Sequence, residues 1–315
     1  MYTQSSIRRV VTTVFCVWAT STGAVGQEVP EAKPVPRLQV IPQPYEQASF
    51  QRDGAEITRY HFGPGLNRPF LFPVVGPSGH SLTRMGHPHD PESHSHHNSV
   101  WMSHNDVGGV DFWSDRRLGT VRHKRIVKYE DEGEKSYVIV ENEWVDKDGR
   151  VLLDETRTVS VVLLEGKEWL LVIDSTFTAL DKPVTLGKTP FGLLGVRMAK
   201  TIGVDDGGGR IRNSEGGVNE KETLWKRARW VDFSGAIENG KIEGITLFDH
   251  PQNPNHPTYF HVRNDGWMGA SLTYDTPREI QPDQPLRLRY GLYIHSETKP
   301  SDEIEKQWQR FIEMR

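Results

Sequence analysis

The chain contains a single cysteine in 315 residues, Cys16, and it lies in the first apolar run. The body of the protein therefore has no thiolate nucleophile, no cysteine metal site and no disulfide framework. It must hold together by burial alone, for which nearly 290 residues are ample. Clustered positive charge is equally scarce, which argues against a basic nucleic-acid-binding face. After residue 26 no apolar stretch approaches the roughly 20 residues that a membrane-spanning helix needs, so no membrane partner is expected once the start is removed. The chain also lacks a GxSxG elbow, an HExxH pair, a phosphate loop and a dinucleotide fingerprint. Serine hydrolases, zincins and nucleotide enzymes are thereby disfavoured.

The first residues read as an address. Arg8-Arg9 leads into the apolar run Val10 to Ala19, and small residues follow through Gly26. This is the layout of a secretory signal cut after Gly26, so residues 1–26 are assigned to a signal peptide and the protein to a secreted or periplasmic location. Removing Arg8 and Arg9 takes the formal charge from −4 to −6. Residues 27–44 are proline-rich and read as an extended leader that joins the domain only near its end. Residues 45–315 are left as one domain.

Within that domain the pattern is β. Ser136–Trp144 reads as one strand, Lys147–Arg150 as a turn, Val151–Leu164 as a longer strand and Glu168–Ala179 as a third. In the third, Trp169, Leu171, Ile173 and Phe177 fall on one face, with Glu168, Asp174, Thr176 and Thr178 on the other. One side should be buried and the other wetter. Leu286, Leu288, Tyr290, Leu292 and Ile294 repeat the alternation. Only the last segment is helical in pattern, with Ser301 placed to cap it and an apolar stripe of Ile304, Trp308, Phe311 and Ile312. The expected fold is all-β: one large antiparallel sandwich with a short C-terminal helix.

Chemistry concentrates in two distant segments. Residues 89–104 hold five of the thirteen histidines. If that segment is extended, His94 and His96 point to one side, as in a metal-gripping His-x-His pair, and His97 to the other. The same imidazoles suit proton transfer near neutral pH, or a solvated polar loop. His104, Asp106, Asp111, Trp101 and Trp113 follow closely. In the second segment Pro251, Pro254 and Pro257 impose a rigid loop around His250 and His256, and His261 and Arg263 have the same strand parity. A third stretch offers Glu215 as a general acid or base and Trp225 and Trp230 as stacking faces. Tryptophan beside His, Asp and Arg suits a carbohydrate, whose C–H faces are weakly apolar and whose hydroxyls need donors and acceptors.

The combination of RPFLFPVVGPSGHSLTR, HSHHNSVWMSHNDVGGVDFW, NSEGG, ARWVDFSG, GITLFDHPQNPNHPTYFHVR and LRLRYGLYIH resembles a bacterial family of unknown function commonly labelled "methane oxygenase PmoA-like". That label implies membrane copper chemistry, and the composition after residue 26 offers no membrane segment for it. The resemblance carries His94, His96, His97, His104, Asp106, His250, His256, His261 and Arg263 as motif positions. The family is also similar to the galactose-mutarotase-like β-supersandwich. Gln281-Pro282-Asp283-Gln284-Pro285 resembles the turn before the closing strand of that fold. By fold analogy His96, His97 or His104 would be the acid and Glu215 or Asp106 the base.

Three functions follow as expectations. The first is a carbohydrate-active enzyme of epimerase, lyase or hydrolase type. It would bind a small-molecule or oligosaccharide substrate through Trp101, Trp113, Asp111, Arg263, His250 and His256. The second is a cupin-like or oxygenase-like enzyme with a divalent metal on His94 and His96. The third is a non-catalytic carbohydrate-binding module.

Overall fold

Alternating apolar residues build two large antiparallel sheets that share one interior. The computed structural model describes residues 34–314, so the signal assigned to 1–26 and the leader's first residues lie outside the described part. One sheet has nine strands, running in spatial order from Leu38–Gln43 through Phe70–Val74, Val100–Met102, Leu193–Arg197, Trp267–Ser271 and Thr258–Arg263 to Lys226–Ala228. The other has eight, centred on Ile242–Asp249, Leu286–Ser296, Trp169–Ala179 and Val151–Leu163. Apolar side chains from both sheets, such as Val100, Met102 and Val196 from the first and Val159, Ile173 and Leu292 from the second, form a single buried core.

The hairpins fall where turn chemistry puts them. Asp146 Oδ1 accepts hydrogen bonds from the backbone N–H groups of Asp148 (3.0 Å) and Arg150 (2.9 Å), which closes the predicted 147–150 turn. The strand Trp169–Ala179 buries Trp169, Leu171, Ile173 and Phe177 as its alternation requires. Leu170 and Val172, on its other face, are buried as well. The C-terminal helix Ser301–Glu313 lays Ile304, Trp308 and Phe311 over that face, beside Trp230, Phe248 and Tyr293. Each such side chain contributes about 1.5–3 kcal/mol on burial.

Two local expectations need correction. Ser301 does not cap the helix; Pro300 holds the cap position and Ser301 is the first helical residue. Proline's fixed φ serves the entry, and Asp302 and Glu303 complement the positive end of the helix. The leader, read as 27–44, also ends earlier than its composition suggests. Leu38–Gln43 forms an edge strand on Gln47–Arg52, and Val40 N–H donates to Asp131 Oδ1 at 2.8 Å. Pro42 is tolerated there because an edge strand can spare one ladder donor.

Candidate functional site

The centre of the nine-stranded sheet has an outer face unlike its inner one. Val100, Met102, Leu194, Val196, Met268, Ala270, Phe260 and Val262 point into the core. Their alternates Trp101, Gly195, Arg197, Trp267, Gly269, His261 and Arg263 share the opposite face. Gly195 stands in register between Trp101 and Gly269, and the Trp267 indole lies across both glycines. A Cβ at Gly269 would meet Trp267 Cζ2 at 2.8 Å, and one at Gly195 would overlap the same ring. The glycines thus let an indole lie flat on the sheet.

Above this face opens a cleft of about 650 Å³. Trp113, Phe191, Trp225 and Trp267 supply its aromatic walls, and His94, His96, His97 and His261 its imidazoles. Trp267 bridges the two distant segments: its ring centroid is 5.2 Å from that of His97, nearly parallel, and 6.1 Å from that of His261. His261 also touches Phe191 (5.4 Å) and Trp225 (6.1 Å). Trp225 is 43% exposed and adopts φ +53°, a left-handed backbone that bulky residues avoid. Such strain recurs where a side chain is held for a ligand.

Two buried cations shape the cleft. Arg68, 1% exposed, donates to the carbonyls of Phe112 (3.2 Å), Trp113 (2.8 Å) and Ser114 (3.2 Å), and to Asn98 Oδ1 (2.7 Å) and Asp115 Oδ1 (3.1 Å). It therefore ties the histidine loop to the Trp113 loop. Arg197 donates to Asp265 Oδ1 (3.0 Å) and to the Asp265 carbonyl (2.9 Å), and Asp265 Oδ2 pairs with His87 Nε2 at 2.8 Å. The other ring nitrogen of His87 accepts the backbone N–H groups of His89 and Asp90. That fixes the tautomer, so His87 anchors its loop and has no ring nitrogen left for a ligand.

Electrostatics separates the histidines. Burial, aided by the Arg68 charge, pushes the His96 pKa down to about 4. Burial with Arg263 nearby brings His261 to about 4. His97 is driven further down by burial, by its histidine neighbours and by Arg197. These imidazoles are neutral at pH 7. Asp265 stays ionised: burial opposes its charge, but Arg197 and His87 hold its pKa below the usual carboxylate range. Nδ1 of His97 and Nδ1 of His261 are buried with no hydrogen-bond partner among the described residues, as is Trp267 Nε1.

The cleft collects His94, His96, His97, Asp111, Trp113, Trp225, His261 and Arg263 from the residues singled out in the sequence, and leaves out the rest. His94 and His96 do not form an extended His-x-His pair. The segment turns instead, with His94 N–H bonding to the Asp90 carbonyl and His97 N–H to the His94 carbonyl. His94 Nδ1 pairs with Asp90 at 2.9 Å, and among the described residues no three His, Cys, Asp or Glu side chains are placed to hold a metal ion. His104 is fully buried, its ring spanning Thr273 Oγ1 (2.8 Å) and Asp106 N–H (3.1 Å), and Asp106 caps Gly109 N–H. Trp101 is the floor beneath Trp113 and Trp267, not a wall.

His250 and His256 belong to another neighbourhood. His256 pairs with Asp249 (2.7 Å) and stacks on Trp308, and His250 packs edge-on against Phe311. They fasten the proline loop to the C-terminal helix. Glu215 sits in an exposed turn with Ser214 and does not line the cleft, and Trp230 is core. Sequence reasoning missed Arg197, Phe191, Asn105, Arg116 and Asp265 in the lining. Only Arg197 had a readable signal, its parity with Gly195 at the end of a core strand.

Among curated proteins, none matches the chain. Among solved structures, the chain is similar to a heparinase III (14% identity, TM-score 0.36), with 84% of this chain covered and 35% of that one. It thus spans about a third of the length of that protein. It is also similar to a GalM/aldose epimerase homologue from C. elegans (8% identity, TM-score 0.33), with 84% of this chain and 100% of that one covered. The profile of a family of unknown function, DUF6807, matches residues 47–309, most of the described domain, and the chain belongs to that family.

Proposed function

We propose that the cleft on the nine-stranded sheet is a saccharide site and that His97 and His261 handle protons there. The observation that carries this reading is the juxtaposition on Trp267 of two buried imidazoles, each with an unpartnered Nδ1. Aromatic faces suit the C–H faces of a sugar ring, and unpartnered ring nitrogens suit its hydroxyls. Being neutral, the imidazoles act first as acceptors, that is, as general bases toward a hydroxyl or a ring C–H. Export to the cell envelope or medium is proposed with it, on the strength of the N-terminal run.

Among the described residues, the two carboxylates that line the cleft are both engaged by the protein. Asp111 accepts from Trp113 N–H, Ser114 N–H and Ser114 Oγ, and Asp265 is held by Arg197 and His87. Chemistry of epimerase, lyase or hydrolase type would therefore rest first on the imidazoles. A non-catalytic saccharide module is the second reading, favoured by the same committed carboxylates. The experiment that separates them is incubation of the purified protein with a saccharide it binds, followed by analysis of the sugar. A changed sugar, lost in both His97→Gln and His261→Gln while binding persists, supports the enzyme; an unchanged sugar supports the module.

A further inference from the structure

We infer that the saccharide is acidic, carrying a carboxylate or sulfate group, and that Arg116 and Arg263 at the mouth of the cleft receive that group. This deepens the saccharide reading and rests on it. The reason is an excess of uncommitted cationic donors over uncommitted anionic acceptors in the lining.

The anionic acceptors are engaged by the protein itself, and the acceptors left without a partner, Asn105 Oδ1 and the Nδ1 atoms of His97 and His261, carry no charge. Asp111 uses one oxygen on Trp113 N–H (2.7 Å) and Ser114 N–H (3.0 Å), and the other on Ser114 Oγ (2.6 Å). Asp265 uses one oxygen on Arg197 and the other on His87. Glu220, behind Arg263, gives Oε1 to the guanidinium at 2.8 Å and Oε2 to Asn264 N–H at 2.8 Å.

The donors are not spent. The Arg116 guanidinium lines the cleft with no ion pair or hydrogen bond from its side chain among the described residues. Arg263 commits Nε to Glu220, leaving its two terminal nitrogens, and is half exposed. Deeper in, Arg197 Nε and Trp267 Nε1 are buried without partners, and both can only donate. A neutral sugar hydroxyl brings a donor with every acceptor, whereas a carboxylate or sulfate brings acceptors alone. The planar fork of arginine fits either group. The neutral imidazoles alongside add no competing negative charge.

The test is titration of the full chain, freed of its first 26 residues, against oligosaccharides matched in linkage and length but differing in charge: neutral, uronic-acid and sulfated. The expected result is that one acidic set binds at least about tenfold tighter than the neutral set, with the tighter set identifying carboxylate or sulfate. Arg116→Gln and Arg263→Gln should each weaken the acidic ligand by about tenfold, and by clearly more than either weakens a neutral one. Rising salt should weaken the acidic ligand only. Neutral sugars binding as well as acidic ones, or acidic binding untouched by both substitutions, overturns the inference while leaving the saccharide site standing. No binding of any saccharide class removes both.

Discussion

Trp267 lies nearly parallel to His97, ring centroids 5.2 Å apart and planes 16° from parallel, while His261 meets the same indole at 6.1 Å in a T-shaped arrangement. One side chain thus joins a loop near residue 97 to a strand more than 160 residues later. The indole lies where it does because Gly195 and Gly269 leave the sheet bare beneath it.

The glycines are therefore the first place to intervene. Gly269→Ala puts a methyl 2.8 Å from the indole and 3.2 Å from the Leu194 carbonyl, so the ring must lift. The expected cost is about 1–3 kcal/mol, as for overpacking. Thermal melting should show it, with a matching loss of saccharide binding. An alanine variant with unchanged melting and binding contradicts the flat-indole arrangement.

Trp225 makes the opposite prediction for stability. Its φ of +53° costs a side-chain-bearing residue roughly 1–2 kcal/mol that glycine does not incur. Trp225→Gly should melt at the same temperature or higher, yet bind saccharide at least about tenfold more weakly. A variant that loses stability and keeps affinity would assign Trp225 to packing.

Arg68 gathers carbonyls from residues 112–114 and side chains from Asn98 and Asp115 in a nearly water-free site. Arg68→Met should cost about 3 kcal/mol or more, because buried acceptors lose their donor. Hydrogen exchange should rise in 94–98 and 111–116 together. A rise confined to one of the two segments contradicts the coupling.

The buried imidazoles set a pH window. His96, His104 and His261 are held at about 4 in the folded chain against 6.5 when unfolded. Between those values the unfolded chain binds more protons, so their contribution is complete above about pH 6.5 and is lost as pH falls toward 4. The slope is about 1.4 kcal/mol per pH unit for each fully titrating group. Ring resonances of these histidines should show no titration from pH 8 to pH 5. A midpoint near 6.5 for any of them contradicts its burial in the neutral form.

Much of the fold was legible because period-two alternation reports which strand face is buried. The strand at 169–179 shows the limit. Leu170 and Val172 are buried by a helix that arrives over a hundred residues later, and that contact leaves no mark in the local pattern. For the site, parity placed His261 beside Arg263, but composition grouped His250 and His256 with them. The three prolines that made that loop rigid said nothing about direction; it points toward Trp308 and Phe311. An extended segment would put His94 and His96 on one side, but the Asp90–Ser93–His94 hydrogen bonds turn the chain instead.

The central claim is that saccharide sits against Trp267 between His97 and His261. Its most direct measurement is a two-variant comparison of binding to a saccharide panel: Trp225→Ala, at the cleft, and His256→Ala, in the proline loop that packs on the C-terminal helix. The account predicts saturable binding by the parent protein, lost or severely weakened in Trp225→Ala and intact in His256→Ala. Binding that survives Trp225→Ala and fails in His256→Ala would place the ligand elsewhere and contradict the account.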